Sequence, residues 1–492
     1  NAVVSWSPDG KIAYCGTGQS PGKSLDESAF SASLDGDKWR QMGIMDTAFH
    51  LADIAVSPDS KYLFVTSSST FGPEGIWRTF SDPPGKSWER VLTMDTDTNA
   101  VIVRLSRDYD DDDTLYAVEV GGEQIAVSHN RGHSWEWWMR SLGPVVDMAV
   151  KDENTVYAAL PNGEVAKSAG SGWDWDEPVE TTLDDINMLA VVDEETILIG
   201  GRDGEVAYSS DGGTSFNQID GAIGSGGGDV QVVADAGFSE NGTIYAATNI
   251  PDEGLWCWTI GVSTRWEQLD EDITELAEGQ RISGLAVGSE GTLYALRLEP
   301  AGDATGGMTR WLCPSCCQEC IDFEYDFVNF SLPQGAIFDS TAVFPNTLPY
   351  LKLSGDKEQN DLWTIDTANQ TIYRFQDTLC KFGPNLDAPP NAAVLSLGPC
   401  PCERPSSLIL DWEELDDVTE YEVSMYLDAD SASEVWMTHS DYDGLIATGG
   451  DNPASLSSGS AYYWKARADK PIKSPWSVMR SFTLALIEVG GL

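Results

Sequence analysis

Basic residues are scarce in this chain. Only 29 Lys and Arg stand against 79 Asp and Glu among 492 residues, a formal net charge of −50. A surface of that sign repels phosphate backbones and anionic headgroups, so nucleic acid and anionic membranes are excluded as expected partners. Long apolar runs are missing too, and with them any segment able to span a membrane as a helix. Histidine is limited to four residues, which leaves few imidazoles for catalysis or metal binding. Methionine does not open the chain. It begins at Asn1, the expectation for a protein whose signal peptide has been removed.

What is present is repetition. An apolar strand, a turn of Asp, Asn, Gly or Pro, and a second apolar strand recur from Val3, Ile54, Val103, Asp147, Leu189, Asp235 and Leu285, with a weaker copy from Ala342. The period of roughly 40–55 residues matches a four-stranded propeller blade. Strict alternation of apolar and polar residues marks half-buried strands. A second hairpin follows most copies, and its turn carries a recurring pattern: "SLDGDKW" at Ser33, "SDPPGKSW" at Ser81, "SHNRGHSW" at Ser128 and "SSDGGTSF" at Ser209. Degenerate forms occur from Ser168 and Gly261. The count is about eight units, with seven if the last is irregular.

These turns resemble the Asp box, or BNR repeat, of sialidase-like β-propellers. Each role the residues offer is structural. Asp211 or Asn130 can accept backbone N–H bonds, and Ser209 or Ser128 can tie the turn through a hydroxyl. Trp88, Trp135 and Phe216 can bury a ring in the blade. The catalytic residues of a sialidase do not carry over, because the early Arg-Ile-Pro motif is missing and Arg40, Arg78, Arg90 and Arg104 lie outside the family's context. No catalytic residue and no cofactor is therefore expected.

The expected architecture is all-β: a seven- or eight-bladed β-propeller over residues 1–380 with a Cys-rich insertion near 311–322, then a C-terminal β-sandwich. Residues 381–407 read as a Pro- and Cys-rich linker with a first strand, and 408–492 as the sandwich with its tail. The sandwich segment resembles a fibronectin type III domain. Trp412 stands where that family buries a tryptophan, and Leu456, Gly459 and Tyr462 resemble its tyrosine corner.

Three groups are candidate sites. Asp108, Asp110, Asp111, Asp112 and Asp113 offer hard oxygen ligands for calcium, although the run falls on a hairpin turn and lacks EF-hand spacing. Cys313, Cys316, Cys317, Cys320, Cys380, Cys400 and Cys402 are disulfide candidates in an exported chain, with zinc as the alternative. Cys15 and Cys257 lie apart from them, in blade strands. Asn241, Asn329 and Asn369 open glycosylation sequons. The expectation is a non-enzymatic extracellular or cell-surface structural protein: a subunit of a surface layer, sheath or filament. It would partner copies of itself or other surface proteins. The rival is an adhesin or receptor binding glycans or proteins on the propeller face, and a glycoside hydrolase stands third. The acidity fits solubility, cation binding or a saline habitat.

Overall fold

The computed structural model describes residues 2–6, 13–17, 29–33, 40–43, 50–68, 74–79, 88–94, 101–139, 143–269, 281–298, 307–312, 351–355, 359–366, 371–397, 408–416, 418–431, 433–441, 444–446, 456–457, 459–470 and 473–486. Two compact units divide the chain, with the change at Gln376–Asp377. None of the helices in the described residues is long and apolar enough to cross a membrane.

In the first unit each apolar–turn–apolar repeat has become an antiparallel hairpin, and consecutive hairpins join into sheets. The strands are β1–β4 (Ala2–Trp6, Ala13–Thr17, Ala29–Ser33, Arg40–Gly43) and β5–β8 (His50–Val56, Leu63–Ser68, Glu74–Thr79, Glu89–Met94). Next come β9–β12 (Val101–Leu105, Leu115–Glu119, Gln124–Ser128, Glu136–Met139) and β13–β16 (Asp147–Val150, Val156–Leu160, Glu164–Ser168, Val179–Glu180). They continue as β17–β20 (Ile186–Val191, Ile197–Gly201, Val206–Ser209, Asn217–Gln218) and β21–β24 (Val230–Ala234, Thr243–Thr248, Leu255–Thr259, Glu267–Gln268). The last are β25–β27 (Arg281–Val287, Leu293–Leu298, Gly307–Trp311) and β28–β30 (Lys352–Gly355, Asn360–Asp366, Thr371–Asp377).

Seven of these sheets close a ring. The first strand of each lies against the first strand of the next, from β5 through β9, β13, β17, β21 and β25 to β28, and β28 lies against β5. A separate apolar cluster fills every gap. Phe64, Ile76 and Leu92 meet Val101, Val103 and Leu115 in one. The closing gap joins Leu51, Ile54, Leu63 and Val65 to Trp363 and Ile365. The first unit thus contains a seven-bladed β-propeller.

The remaining repeat, β1–β4, stands outside the ring. Its last strand pairs antiparallel with β8 through Gln41 and Arg90, and the order β1-β2-β3-β4-β8-β7-β6-β5 makes one eight-stranded sheet. The count of eight repeats therefore exceeds the number of ring blades by one. β1, whose sequence AVVSW reads like an innermost strand, ends that sheet, with Val4 53% exposed.

The second unit pairs a three-stranded sheet with a five-stranded one around one core. Sheet order is β31-β33-β36 in the first (Leu386–Ala388, Ile409–Trp412, Gly444–Ile446). In the second it is β32-β38-β37-β34-β35 (Ala393–Leu397, Arg480–Leu486, Ala461–Lys470, Glu420–Tyr426, Glu434–Ser440). Leu410 and Trp412 from the first sheet meet Val423, Trp464 and Phe482 from the second. The segment read as a linker holds two strands rather than one, β31 and β32, and gives one to each sheet. Of the terminal segment ALIEVGGL, Ala485 and Leu486 complete β38, and the rest lies outside the described residues.

Candidate functional site

Charged side chains from four inner strands converge on the axial side of the ring. Arg104 on β9 donates through Nη1 to Asp53 Oδ2 of β5 at 2.6 Å, and through Nη2 to Asp147 Oδ1 of β13 at 2.7 Å. Both aspartates are buried. Each also accepts a backbone N–H from the following blade: Val103 N to Asp53 at 3.0 Å, and Leu189 N to Asp147 at 2.9 Å. Asn187 repeats the device at the next gap with an amide, donating to Val230 O at 2.9 Å and accepting from Val230 N at 3.2 Å. Asp53, Arg104, Asp147 and Asn187 thus stitch the successive inner strands from β5 to β21.

Burial opposes the Arg104 charge, but attraction to Asp147 and Asp53 outweighs it, and its pKa is raised. Lys352 on β28 belongs to the same electrostatic group. Burial, then the nearby Arg104 charge, brings its ammonium down to about 8 against the pull of Asp53 and Asp147. The two carboxylates are already committed to a guanidinium and to backbone donors, which suits holding a ring together.

The Asp-box turns adopt the roles their residues suggested. Ser209 Oγ accepts from Gly213 N at 2.9 Å and donates to Asp211 Oδ1 at 2.8 Å. Asp211 also accepts from Ser215 N at 2.9 Å and Ser215 Oγ at 2.6 Å. Ser128, Asn130, Gly132 and Ser134 repeat this arrangement, and Ser168 holds Gly170 and Gly172. Gly213 sits at φ +84°, where a Cβ would lie 3.0 Å from Tyr157 Cε1 of the preceding blade. The box therefore needs glycine both for its backbone and for the packing between blades. Phe216 is buried, and Trp88 and Trp135 are half-buried. The boxes at Ser33 and Ser81 lie largely outside the described residues.

Hydrogen bonds from Ser215, side chain and backbone, hold the Asp211 carboxyl down to about 2 from an ordinary 3.8. Because the folded value is the lower one, the stabilisation is complete above the ordinary value and lost as pH falls through the lower. Asp211→Ala is therefore expected to cost about 1 kcal/mol or less near pH 7, because the turn is exposed. Thermal melts of the two proteins should converge as pH approaches the folded value.

The aspartate run forms the hairpin turn between β9 and β10 as a one-turn helix, α1 (Tyr109–Asp112), with Asp108 before it and Asp113 after it. Its carboxylates serve different partners. Asp112 accepts from Ser106 Oγ and Thr114 N, Asp113 pairs with Arg131, and Asp108 lies 3.6 Å from Arg107. Asn241 ends the equivalent helix α2 (Phe238–Asn241) and is exposed. Its amide donates to Asp235 at 2.7 Å and accepts from Thr243 N at 2.8 Å. Asn329 and Asn369 lie outside the described residues, as do Cys313, Cys316, Cys317, Cys320, Cys400 and Cys402.

Cys257 is in a disulfide. Cys380 is buried, with its Sγ 3.2 Å from the Asp377 carbonyl. His129 accompanies Thr114 at 3.1 Å on an exposed turn.

The axial group escaped the sequence reading. Its signal was there: Asp53 and Asp147 are charged residues inside strands of apolar neighbours, in LADIAV and DMAV. What the sequence could not show is that Arg104, 51 positions from Asp53, lies between them.

No family model and no curated protein matches this chain. Among solved structures, it is similar to YCF48 from Cyanidioschyzon merolae at 12% identity, over 68% of this chain and 98% of that one, with a TM-score of 0.44. A YCF48 bound to D1 peptide aligns at 16% identity over 43% of this chain and 64% of that one, TM-score 0.28. U3-55K aligns at 15% identity over 59% and 86%, TM-score 0.37. These likenesses are too loose to carry a function.

Proposed function

We propose that this chain is an exported, non-enzymatic structural protein of the cell surface that joins copies of itself through sheet edges. The observation that carries this reading is the eight-stranded sheet. A blade edge, β8, already accepts a sheet of the same kind within the chain, and among the described residues the outer edge of β1 stands unpaired at the far end of that sheet, with Val4 exposed. Unpaired strand edges present rows of N–H and C=O groups to another strand, and an apolar one invites addition. The outer strands β16, β20 and β24 are two residues long, which suits protected rims. The Cys257 disulfide is consistent with an oxidising compartment. Commitment of Asp53 and Asp147 to structural bonds supports a non-enzymatic role.

The second unit is, on this reading, a fibronectin type III-like spacer. Trp412 is 1% exposed, and Tyr462 Oη accepts from Ser457 N at 2.6 Å, as a tyrosine corner would. A cleft of ≈ 590 Å³ in this unit, lined by Phe382, Asn385, Glu413, Trp476 and Arg480, favours a second reading as a glycan-binding adhesin.

Electron microscopy and light scattering at high protein concentration test the assembly. Wild-type protein is expected to form arrays or filaments, and Val4→Lys to stay dispersed with an unchanged melting temperature. Dispersed wild-type monomers, with calcium present, would count against the reading. Binding on a glycan array without assembly would favour the adhesin.

A further inference from the structure

Among the described residues, one group of metal-ligating side chains converges: Glu420, His439 and Asp469, with a ligand atom from each within 4.8 Å of the others. The three come from β34, β35 and β37, adjacent strands of one sheet. Backbone pairing therefore fixes their spacing. The register slips where they meet. Glu420 lies opposite Lys470 but Tyr421 lies opposite Ala468, so Asp469 is the extra residue of a β-bulge. Bulges re-aim a side chain out of the regular alternation. Here Asp469 Oδ2 lies 3.5 Å from His439 Nε2, with the aspartate side chain only 12% exposed.

We propose that Glu420, His439 and Asp469 form a binding site for a divalent zinc-class cation. One imidazole and two carboxylates suit zinc, cobalt or nickel, whereas calcium and magnesium take all-oxygen sets. Three protein ligands leave a fourth position for water or for a donor from a neighbouring molecule. Two ammonium groups compete for this charge. Lys470 pairs with Glu420, and Lys473 lies 4.0 Å from Asp469 and 3.9 Å from Glu422. Metal entry must displace Lys470 from Glu420.

That competition supplies the test. Zinc is titrated into the full-length protein by calorimetry, with melting temperatures recorded with and without zinc. Wild type should show a saturable step and a higher melting temperature, and calcium at the same concentration should give neither. His439→Ala should weaken the step by at least about tenfold, no less than losing a supporting partner of a metal ligand does. Its side chain is 44% exposed, so the variant should fold. Lys470→Gln should tighten the step. Coincident wild-type and His439→Ala isotherms would overturn the proposal, because any zinc uptake would then belong elsewhere. So would an isotherm unchanged or weakened by Lys470→Gln, since the carboxylates would then be simple ion-pair partners.

Discussion

Arg104→Met is expected to lower the unfolding free energy by about 3–5 kcal/mol near neutral pH, the usual cost of removing one partner from a buried ionic group. The size follows from what remains. Asp53 and Asp147 have side chains only 1% and 4% exposed, and both would lose the guanidinium they share. Their backbone bonds to Val103 and Leu189 are too few to replace it. Adding Asp53→Asn and Asp147→Asn should recover part of the loss, since amides keep the hydrogen bonds without the charge. Urea unfolding of the single and triple variants reads both effects. A loss below about 1 kcal/mol would contradict this account.

Trp363→Ala should have an effect of similar size for a different reason. Trp363 is 3% exposed, and truncating a buried tryptophan costs about 3–5 kcal/mol. Its place makes the loss regional. Among the described residues every ring sheet is built from consecutive strands, and none of them is shared between the first blade and the last. Apolar packing of Trp363 and Ile365 on Leu51, Ile54, Leu63 and Val65 provides much of that closure. Two hydrogen bonds assist it: Gly355 N donates to Pro58 O at 3.0 Å, and the Ser60 and Ser354 hydroxyls share a bond at 2.7 Å. Hydrogen exchange should therefore show β5–β8 and β28–β30 losing protection together, ahead of β13–β20. Even loss around the ring would contradict this account. Trp137→Ala, on an outer strand and 40% exposed, should change stability by no more than about 0.5 kcal/mol.

The parts of this architecture visible in the sequence are the local ones. Hairpin alternation and the Asp-box turn are each written within a dozen residues, and both recur. Ser209 and Asp211 do in space what their spacing suggested. Membership of the ring is not local. β1–β4 carries the same pattern as a true blade, and its exclusion is decided by the meeting of Leu51 with Trp363, which leaves no mark on either neighbourhood. The same holds for sites. Asp108 to Asp113 stood out as a run, and within it Asp108, Asp112 and Asp113 take separate partners, which no spacing announces. Glu420, His439 and Asp469 are too dispersed to notice, and a one-residue slip in pairing brings them together. Prolines misled in a third way. The stretch holding β31 and β32 looked like a linker because Pro389 and Pro390 separate two strands that join different sheets.

Ring closure also sets a timetable. A ribosome delivers Leu51, Ile54, Leu63 and Val65 long before Trp363. At about 5–20 residues per second, the roughly 300 intervening residues take about 15–60 s to make. Throughout that interval the apolar flank of the nascent first blade has no neighbour to cover it, and a holding factor or a delay in folding must guard it until the last blade arrives.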